Sequence, residues 1–379
     1  MNQIIQTAVC GFTATPQTGS RAIGRAERKR RYESIVGSAD EDRTFLSGGS
    51  NAEPVKVGVI GVGSMGQNHA RVLSEIADLR GVADPDAKAG GVVANRYTVS
   101  YFPDYKALLR EKIDAVTICV PTNLHFKVAM DAIAAGKHLL VEKPLCENVR
   151  DAERLVKAAR AAGLVLAAGH IERHNPIVDS AKRHLDAGTW GDLITAGARR
   201  VSSFPDRVRD VGVIMDLAIH DIDILRYLVG KPVSTVFAVG GRQKHQAFED
   251  HATILLSFAN GIHGYVEANW LTPMKVRKLS LTCLQNFVEL DYTAQSMTIS
   301  SSTLGPLDPS NLYQIPLDVD TRHVNLRKEE PLKRELKDFL RAAKEGGEPL
   351  VTGEDAVETL RVVEAAVESQ RSGKVVALV

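Results

Sequence analysis

Residues Val55 to Ile60 form a short apolar run that ends in Gly61-Val62-Gly63-Ser64-Met65-Gly66, after which the pattern turns helical. No other stretch restricts the fold as much. A buried strand that feeds a glycine-rich turn and then a helix belongs to a parallel sheet, where the helix carries the chain back across the sheet face. Gly61 permits the tight turn, Gly63 lets the backbone approach a pyrophosphate, and Gly66 lets the helix close on the strand. The first turn of the helix, at Ser64 and Met65, offers unpaired N–H groups and a partial positive charge to phosphates. A GxGxxG alone is weak evidence, since glycine is common. Its context is stronger, because the next apolar run, Arg80 to Ala83, ends in Asp84. A carboxylate there would accept hydrogen bonds from the adenosine ribose and repel a 2′-phosphate. Pro85-Asp86 brings no arginine to welcome such a phosphate, so NAD is expected rather than NADP.

The alternation continues through a strand at Ala115 to Val120, a helix at Leu124 to Ala135, a strand at His138 to Val141, a helix at Val149 to Ala162 and a strand at Val165 to Ala168. This predicts an α/β doubly wound parallel sheet over residues 54–174, with one helix running from the glycine motif through Leu79. After Asn175 the rhythm changes. A helix over Ile177 to Ala187 leads into runs of two-residue alternation at Ile194 to Val201, Ala252 to Phe258, Gly261 to Ala268, Lys278 to Thr282 and Phe287 to Tyr292. Turn residues such as Ala259-Asn260-Gly261 favour hairpins. Residues 175–379 therefore read as an α+β domain with a mostly antiparallel sheet, closed by amphipathic helices at Leu332 to Ala343 and Asp355 to Ser369.

Residues 1–53 are rich in Gly, Ser, Thr and Ala and carry the run Arg28-Lys29-Arg30-Arg31. They read as a mobile extension ahead of the fold, with a transit peptide as the alternative. With 47 basic and 46 acidic residues the net charge is +1, and no basic stripe interleaved with aromatics is present, so nucleic acid is not an expected partner. No apolar run reaches the length of about 18 residues that a membrane span needs. Cys10, Cys119, Cys146 and Cys283 are scattered and form no metal-ligand pattern, which predicts reduced thiols, no metal and a cytoplasmic location.

Two further clusters bear on chemistry. Glu142-Lys143-Pro144 closes the strand at His138 to Val141, on the carboxyl edge of a parallel sheet where ligands bind. In Asp216-Leu217-Ala218-Ile219-His220-Asp221, a helix would place Asp216 and His220 one turn apart, where the carboxylate can steady the imidazole. A histidine can take a hydroxyl proton near neutral pH while hydride leaves, and a lysine can hold the hydroxyl oxygen and share its proton. Taken singly, an apolar-flanked histidine is more often a core or helix-cap residue, and one Glu-Lys-Pro means little.

Together, Gly61–Gly66, Glu142-Lys143-Pro144 and Asp216…His220, in this order and separation, resemble the glucose–fructose oxidoreductase / inositol dehydrogenase (Gfo/Idh/MocA) family over Val55 to Val379. The resemblance implies a Rossmann domain followed by an open-faced sheet domain, with Lys143, Asp216 and His220 as catalytic residues. It also implies that Pro121, Thr122, Asn123 and His125 line the cofactor pocket together with Glu142 and Lys143. Within the family, Gly169-His170-Ile171-Glu172-Arg173-His174-Asn175-Pro176, the segment Asp210 to Asp221, and Asn269 to Arg277 are most similar to UDP-N-acetylglucosamine 3-dehydrogenases. That similarity implies NAD-dependent oxidation of the C3 hydroxyl of a UDP-N-acetyl sugar to a 3-keto sugar. His174, where phenylalanine is typical, and Met274, where histidine is typical, depart from that pattern.

Arg173, Arg207, Arg209, Lys275 and Arg277 supply the cations that a diphosphate wants. Together with Asn175, Lys143 and His220, they form the expected substrate site, although any one of them read alone is as readily a solvated surface charge. The alternatives are the same chemistry on myo-inositol or a free sugar, and a non-catalytic NAD-binding sensor, against which the presence of both Lys143 and His220 speaks. A homo-oligomer, a dimer or a tetramer of dimers, is expected to cover the sheet face, with Ile254, Leu256 and Phe258 placed either there or against the helices.

Overall fold

The computed structural model describes residues 53–205, 211–305, 310, 311, 313 and 316–378. The expectations for the N-terminal extension ahead of Glu53, and for Arg207 and Arg209, lie outside the described residues.

The first half alternates as its apolar runs dictate. Strand β1 (Lys56–Ile60) leads to helix α1 (Ser64–Ile76), β2 (Asp78–Ala83), α2 (Ala87–Tyr97), β3 (Ser100–Phe102), the short α3 (Tyr105–Leu109), β4 (Ala115–Ile118), α4 (Thr122–Ala134), β5 (His138–Glu142), α5 (Val149–Ala161) and β6 (Leu166–Gly169). The six strands form one sheet in the order β3-β2-β1-β4-β5-β6, and every pairing is parallel. Helix α1 stops at Ile76 instead of running through Leu79, because Asp78 and Leu79 pair with Lys56 and Val57 in the sheet. The order reverses between β1 and β4, which opens a crevice at the carboxyl ends of these strands.

A 3₁₀ turn (Ile171–His174) and α6 (Pro176–Asp186) lead into the second sheet. Its strands are β7 (Leu193–Val201), β8 (Val233–Gly241), β9 (His251–Phe258), β10 (His263–Asn269), β11 (Val276–Cys283), β12 (Phe287–Asp291), β13 (Ser296–Leu304), β14 (Leu317–Asn325) and the short β15 (Val376–Ala377). They lie in the order β14-β13-β12-β11-β7-β10-β9-β8-β15. Only β7 and β10 run parallel. The turn at Ala259-Asn260-Gly261 makes the β9–β10 hairpin, with Gly261 at φ +83° where a side chain would be strained. Between β7 and β8 a π-helical turn (Ile214–Ala218) runs into α7 (Ile219–Val229).

The last two helices, α8 (Pro331–Glu345) and α9 (Gly353–Ser372), bury their apolar stripes back on the first sheet. Leu332, Leu336, Phe339 and Leu340 of α8 join Val57, Val59, Val82 and Leu140 on one face. Val357 and Leu360 of α9 join Ile60, Val116, Leu139 and Val141 on the other. Each face of the parallel sheet is thus completed by residues more than 150 positions further along the chain.

The second sheet covers itself on one side only. Ile254, Leu256 and Phe258 are buried on the helix side. The alternate residues point outward, and Leu255 lies beside Tyr265, each about half exposed. Tyr265 folds its ring over Gly197 of β7, where a Cβ would come within 2.2 Å of it.

Candidate active site

The glycine turn performs three separate tasks. Gly61 has φ +87°, and a Cβ on it would lie 2.7 Å from the carbonyl oxygen of Cys119, so only glycine fits between β1 and β4. Gly66 sits so close under the turn that a Cβ would fall 1.8 Å from the Gly61 oxygen. A Cβ on Gly63 would meet no protein atom within 4 Å. That open side is what a close-lying pyrophosphate requires. Gly63 also caps α1 without any side-chain bond, so the N–H groups of Ser64, Met65 and Gly66 are left for a ligand. The chain's own residues thus fit a dinucleotide.

Asp84 has a second duty that its position in the sequence does not announce. Its Oδ2 accepts the Val62 N–H at 2.8 Å and its Oδ1 the Asp86 N–H at 2.9 Å. The carboxylate therefore stiffens the glycine turn, and each oxygen keeps a second lone pair for a ribose hydroxyl. Pro121, Thr122 and Asn123 open α4 at the rim of the crevice. His125 is not at the rim. It is buried, with Nδ1 2.8 Å from the Pro144 oxygen and Nε2 2.9 Å from the Val120 oxygen. Burial holds its ring neutral, so it donates to one carbonyl at a time and ties the end of β4 to the loop that carries Lys143.

Glu142 likewise turns inward. His69 of α1 lies 2.9 Å from its Oε1, and the two are fully or nearly buried. The Lys143 N–H reaches Glu142 Oε2 at 3.2 Å, so the pair anchors the lysine backbone. The peptide between Lys143 and Pro144 is cis.

Lys143 extends its ammonium across to the second domain, where it donates to both the main-chain oxygen and Oδ1 of Asp216, each at 2.8 Å. This corrects the expected pairing of Asp216 with His220. Residues Ile214–Ala218 form a π turn, the Asp216 carboxylate goes to Lys143, and no hydrogen bond joins it to the His220 ring. Glu249 supports that turn by accepting the Ile214 N–H at 3.2 Å. A Cβ at Gly212 would collide with the Glu249 carboxylate.

His220 is half-buried, and its Nδ1 is sealed from solvent without a hydrogen-bond partner. Burial first, then the positive charges of Lys143, Arg200 and Arg277, hold its pKa well below the ordinary histidine value. The ring is neutral near pH 7 and free to accept a proton.

The cations divide into two groups. Arg173 is buried, with its guanidinium clamped on Asp223 at 2.7 Å through two nitrogens and on Asp355 at 3.0 Å. Asp223 is held down to about 2: burial would raise it, and Arg173 overrides burial. Asn175 caps α6 and spends its amide on Glu172 and the Tyr292 carbonyl. Arg173 and Asn175, both expected at the substrate site, are instead buried and bonded to neighbouring residues. Each lies in the 3₁₀ turn or at its end, folded under α7 and the second sheet, and each is saturated by its neighbours. His174 is buried as well, beside Glu335, Asp338 and Phe339.

Lys275 and Arg277 behave differently. Lys275 is exposed and has no ion-pair partner among the described residues, and its ammonium pKa is lowered, first of all by Arg277. Among the described residues the Arg277 side chain bonds Glu172, at 3.4 Å, and is half-buried. It lies across the β7–β11 pairing from Arg200, a buried arginine missed in the sequence that is held by Asp221 at 2.7 Å and Glu172 at 2.8 Å. Lys275 and Arg277 are thus cations with unspent capacity beside the reaction centre.

Known proteins share this fold. Residues 55–170 match the oxidoreductase family with an NAD-binding Rossmann fold. Residues 178–288 match the GFO/IDH/MocA C-terminal domain, and residues 308–378 the C-terminal alpha/beta domain of the oxidoreductase family. The chain is 34% identical over 288 residues to a UDP-N-acetylglucosamine 3-dehydrogenase of Acidithiobacillus ferrooxidans, covering 76% of this chain and 88% of that protein. It is 29% identical over 340 residues to a scyllo-inositol 2-dehydrogenase (NAD(+)) of Bacillus subtilis, covering 86% and 96%. The solved structure of UDP-N-acetylglucosamine 3-dehydrogenase GnnA from Acidithiobacillus ferrooxidans superposes with a TM-score of 0.75 at 31% identity, covering 84% of this chain and 97% of that one.

Proposed function

Because the chain belongs to the Gfo/Idh/MocA oxidoreductase family and carries its NAD-binding Rossmann domain, we propose that it oxidises the C3 hydroxyl of a UDP-N-acetyl sugar, UDP-N-acetylglucosamine, to the 3-keto sugar. The observation that carries the reaction is the meeting of Lys143, Asp216 and the neutral His220 at the carboxyl edge of the parallel sheet, beside the open Gly63 turn. NAD, when bound, supplies the acceptor for the hydride. Lys143 spends two of its three N–H donors on Asp216 and keeps the third for the substrate hydroxyl oxygen. That donor holds the oxygen in place and favours the loss of its proton. His220 takes the proton on Nε2, since Nδ1 is sealed. Asp216 fixes the ammonium by charge and by its main-chain oxygen.

The substrate class rests on Lys275 and Arg277, whose unspent positive charge beside the reaction centre suits a diphosphate. The similarity to the Acidithiobacillus enzyme points the same way. A second reading, oxidation of a cyclitol, is favoured by the similarity to the Bacillus inositol enzyme over 86% of the chain. The two separate in one experiment that follows NADH absorbance with UDP-N-acetylglucosamine, myo-inositol and scyllo-inositol. Turnover with the nucleotide sugar, lost in Lys275→Ala/Arg277→Ala chiefly through KM, is the expected result. Higher kcat/KM with an inositol would overturn the substrate assignment and leave the chemistry standing.

A further inference from the structure

His170 is the first residue beyond β6, and Lys143 is the first beyond β5. The register that pairs Glu142 with Gly169 brings these two to neighbouring strand ends on the carboxyl edge. The His170 ring is buried, 1% exposed, and neither of its nitrogens has a hydrogen-bond partner. Burying a polar ring with both nitrogens unpaired is costly, and a phenylalanine or leucine would fill the space without that cost. Such a group asks for a partner that arrives during function.

The groups facing it are known. Asp223 and Arg226 approach from α7, Arg173 from the 3₁₀ turn and Lys143 from the end of β5, while His220 lies near enough to be influenced by its charge. Asp223 is spent on Arg173 and Thr359, and Arg226 is spent on the Asp355 carbonyl and Thr359. Arg173 and Arg226 are pinned by those carboxylate, carbonyl and hydroxyl partners, whereas Lys143, whose two bonds both go to Asp216, keeps its third N–H at the reaction centre.

Resting on the dehydrogenase reading above, we propose that His170 is a positioning residue for Lys143, offering the ammonium a second acceptor whenever it swings off Asp216, with or without substrate. In this scheme His170 touches neither substrate nor NAD, and it exchanges no proton with them. It limits the directions that the Lys143 side chain can take. Burial first, then the neighbouring cations, keep the ring neutral, so its acceptor lone pair is available at neutral pH.

The test uses the full chain with NAD⁺ and ¹⁵N-histidine labelling. The His170 ring signals, assigned by their loss in His170→Phe, should shift on Lys143→Met, which keeps the stem and removes the donor. Unchanged signals in that variant would overturn the proposal, and this readout does not depend on any substrate. In turnover, His170→Phe should lower kcat about 10-fold with little change in KM and displace the pH profile, while His170→Asn, which retains an acceptor, should recover part of the loss. A folded His170→Phe with the wild-type kcat and pH profile would also overturn it. Should His170→Phe fail to fold, His170→Asn supplies the assignment and the Lys143→Met comparison decides. A wild-type protein that reduced NAD with no sugar or cyclitol would refute the dehydrogenase reading instead, and the ring signals would still report on the Lys143 contact.

Discussion

In the proposed reaction Lys143 and His220 act on one hydroxyl, and their loss should be read as a unit. Lys143→Ala and His220→Ala are each expected to lower kcat by about 10²-fold or more. The double variant should lose little beyond the worse single one, because groups sharing one proton are not additive. NAD affinity, followed by fluorescence titration, should hold in both, since the proposed phosphate site is the open turn at Gly63. Near-wild-type turnover in His220→Ala would reduce that residue to a packed ring. The depressed pKa of His220 sets the sign of the pH dependence. Oxidation needs the neutral ring, and the folded protein keeps it neutral to lower pH than the ordinary 6.5. The acid limb of kcat/KM should therefore lie below pH 6.5 and move or vanish in His220→Ala. We propose that Asp84 sets the cofactor preference: NAD should be favoured over NADP, with comparable efficiency for both refuting the assignment. Asp84→Ser should narrow the gap and also lower Tm, because the carboxylate holds Val62 and Asp86.

At the scale of elements, the β1–α1 turn separates fold from binding within six residues. Gly66→Ala would force a methyl to 1.8 Å from the Gly61 oxygen, a backbone clash that cannot be relieved by a rotamer. Its expected effect is a loss of stability of about 1–3 kcal/mol or more, seen as a lower Tm. Gly63→Ala should leave Tm nearly unchanged, since its Cβ meets nothing, while weakening NAD about 10-fold, or about 1.4 kcal/mol. Equal Tm losses in the two variants would contradict this division. The π turn at Ile214–Ala218 is the matching device in the second domain. It carries Asp216, whose carboxylate and main-chain oxygen both accept from Lys143.

At the scale of the molecule, we propose that the outward face of the second sheet is an interface between copies of the chain. Leu255, Tyr265, Val239 and Phe287 leave an apolar face on a protein whose inner residues are already covered. Light scattering at micromolar concentration should report a dimer or tetramer, and Leu255→Asp should shift it toward monomer; a monomeric wild-type chain would refute the interface. No described helix is long and apolar enough to cross a membrane. The parallel sheet is complete only when α8 and α9 seal its two faces, so truncation before Pro331 should prevent the first sheet from folding as well as the second.

The strand–turn–helix unit, the acid at the end of β2, the parallel strands to β6 and the hairpin at Asn260-Gly261 were all legible in the sequence. Each depends on local spacing, and hydrophobic period and glycine placement are local properties. Strand β8 and the polar strands β13 and β14 carried too weak an alternation to be read, and α2 and β3 were likewise overlooked. The residue types at the site, Lys143, Asp216 and His220, were legible too, but not their pairing. Which partner Asp216 takes, whether Arg173 faces a ligand or a buried Asp223, and whether Lys275 and Arg277 keep spare charge depend on groups 50 or more positions apart that only the tertiary fold brings together. Long side chains of like charge look the same in a sequence. Burial and the position of the opposing carboxylate decide which of them becomes structure and which is left to bind.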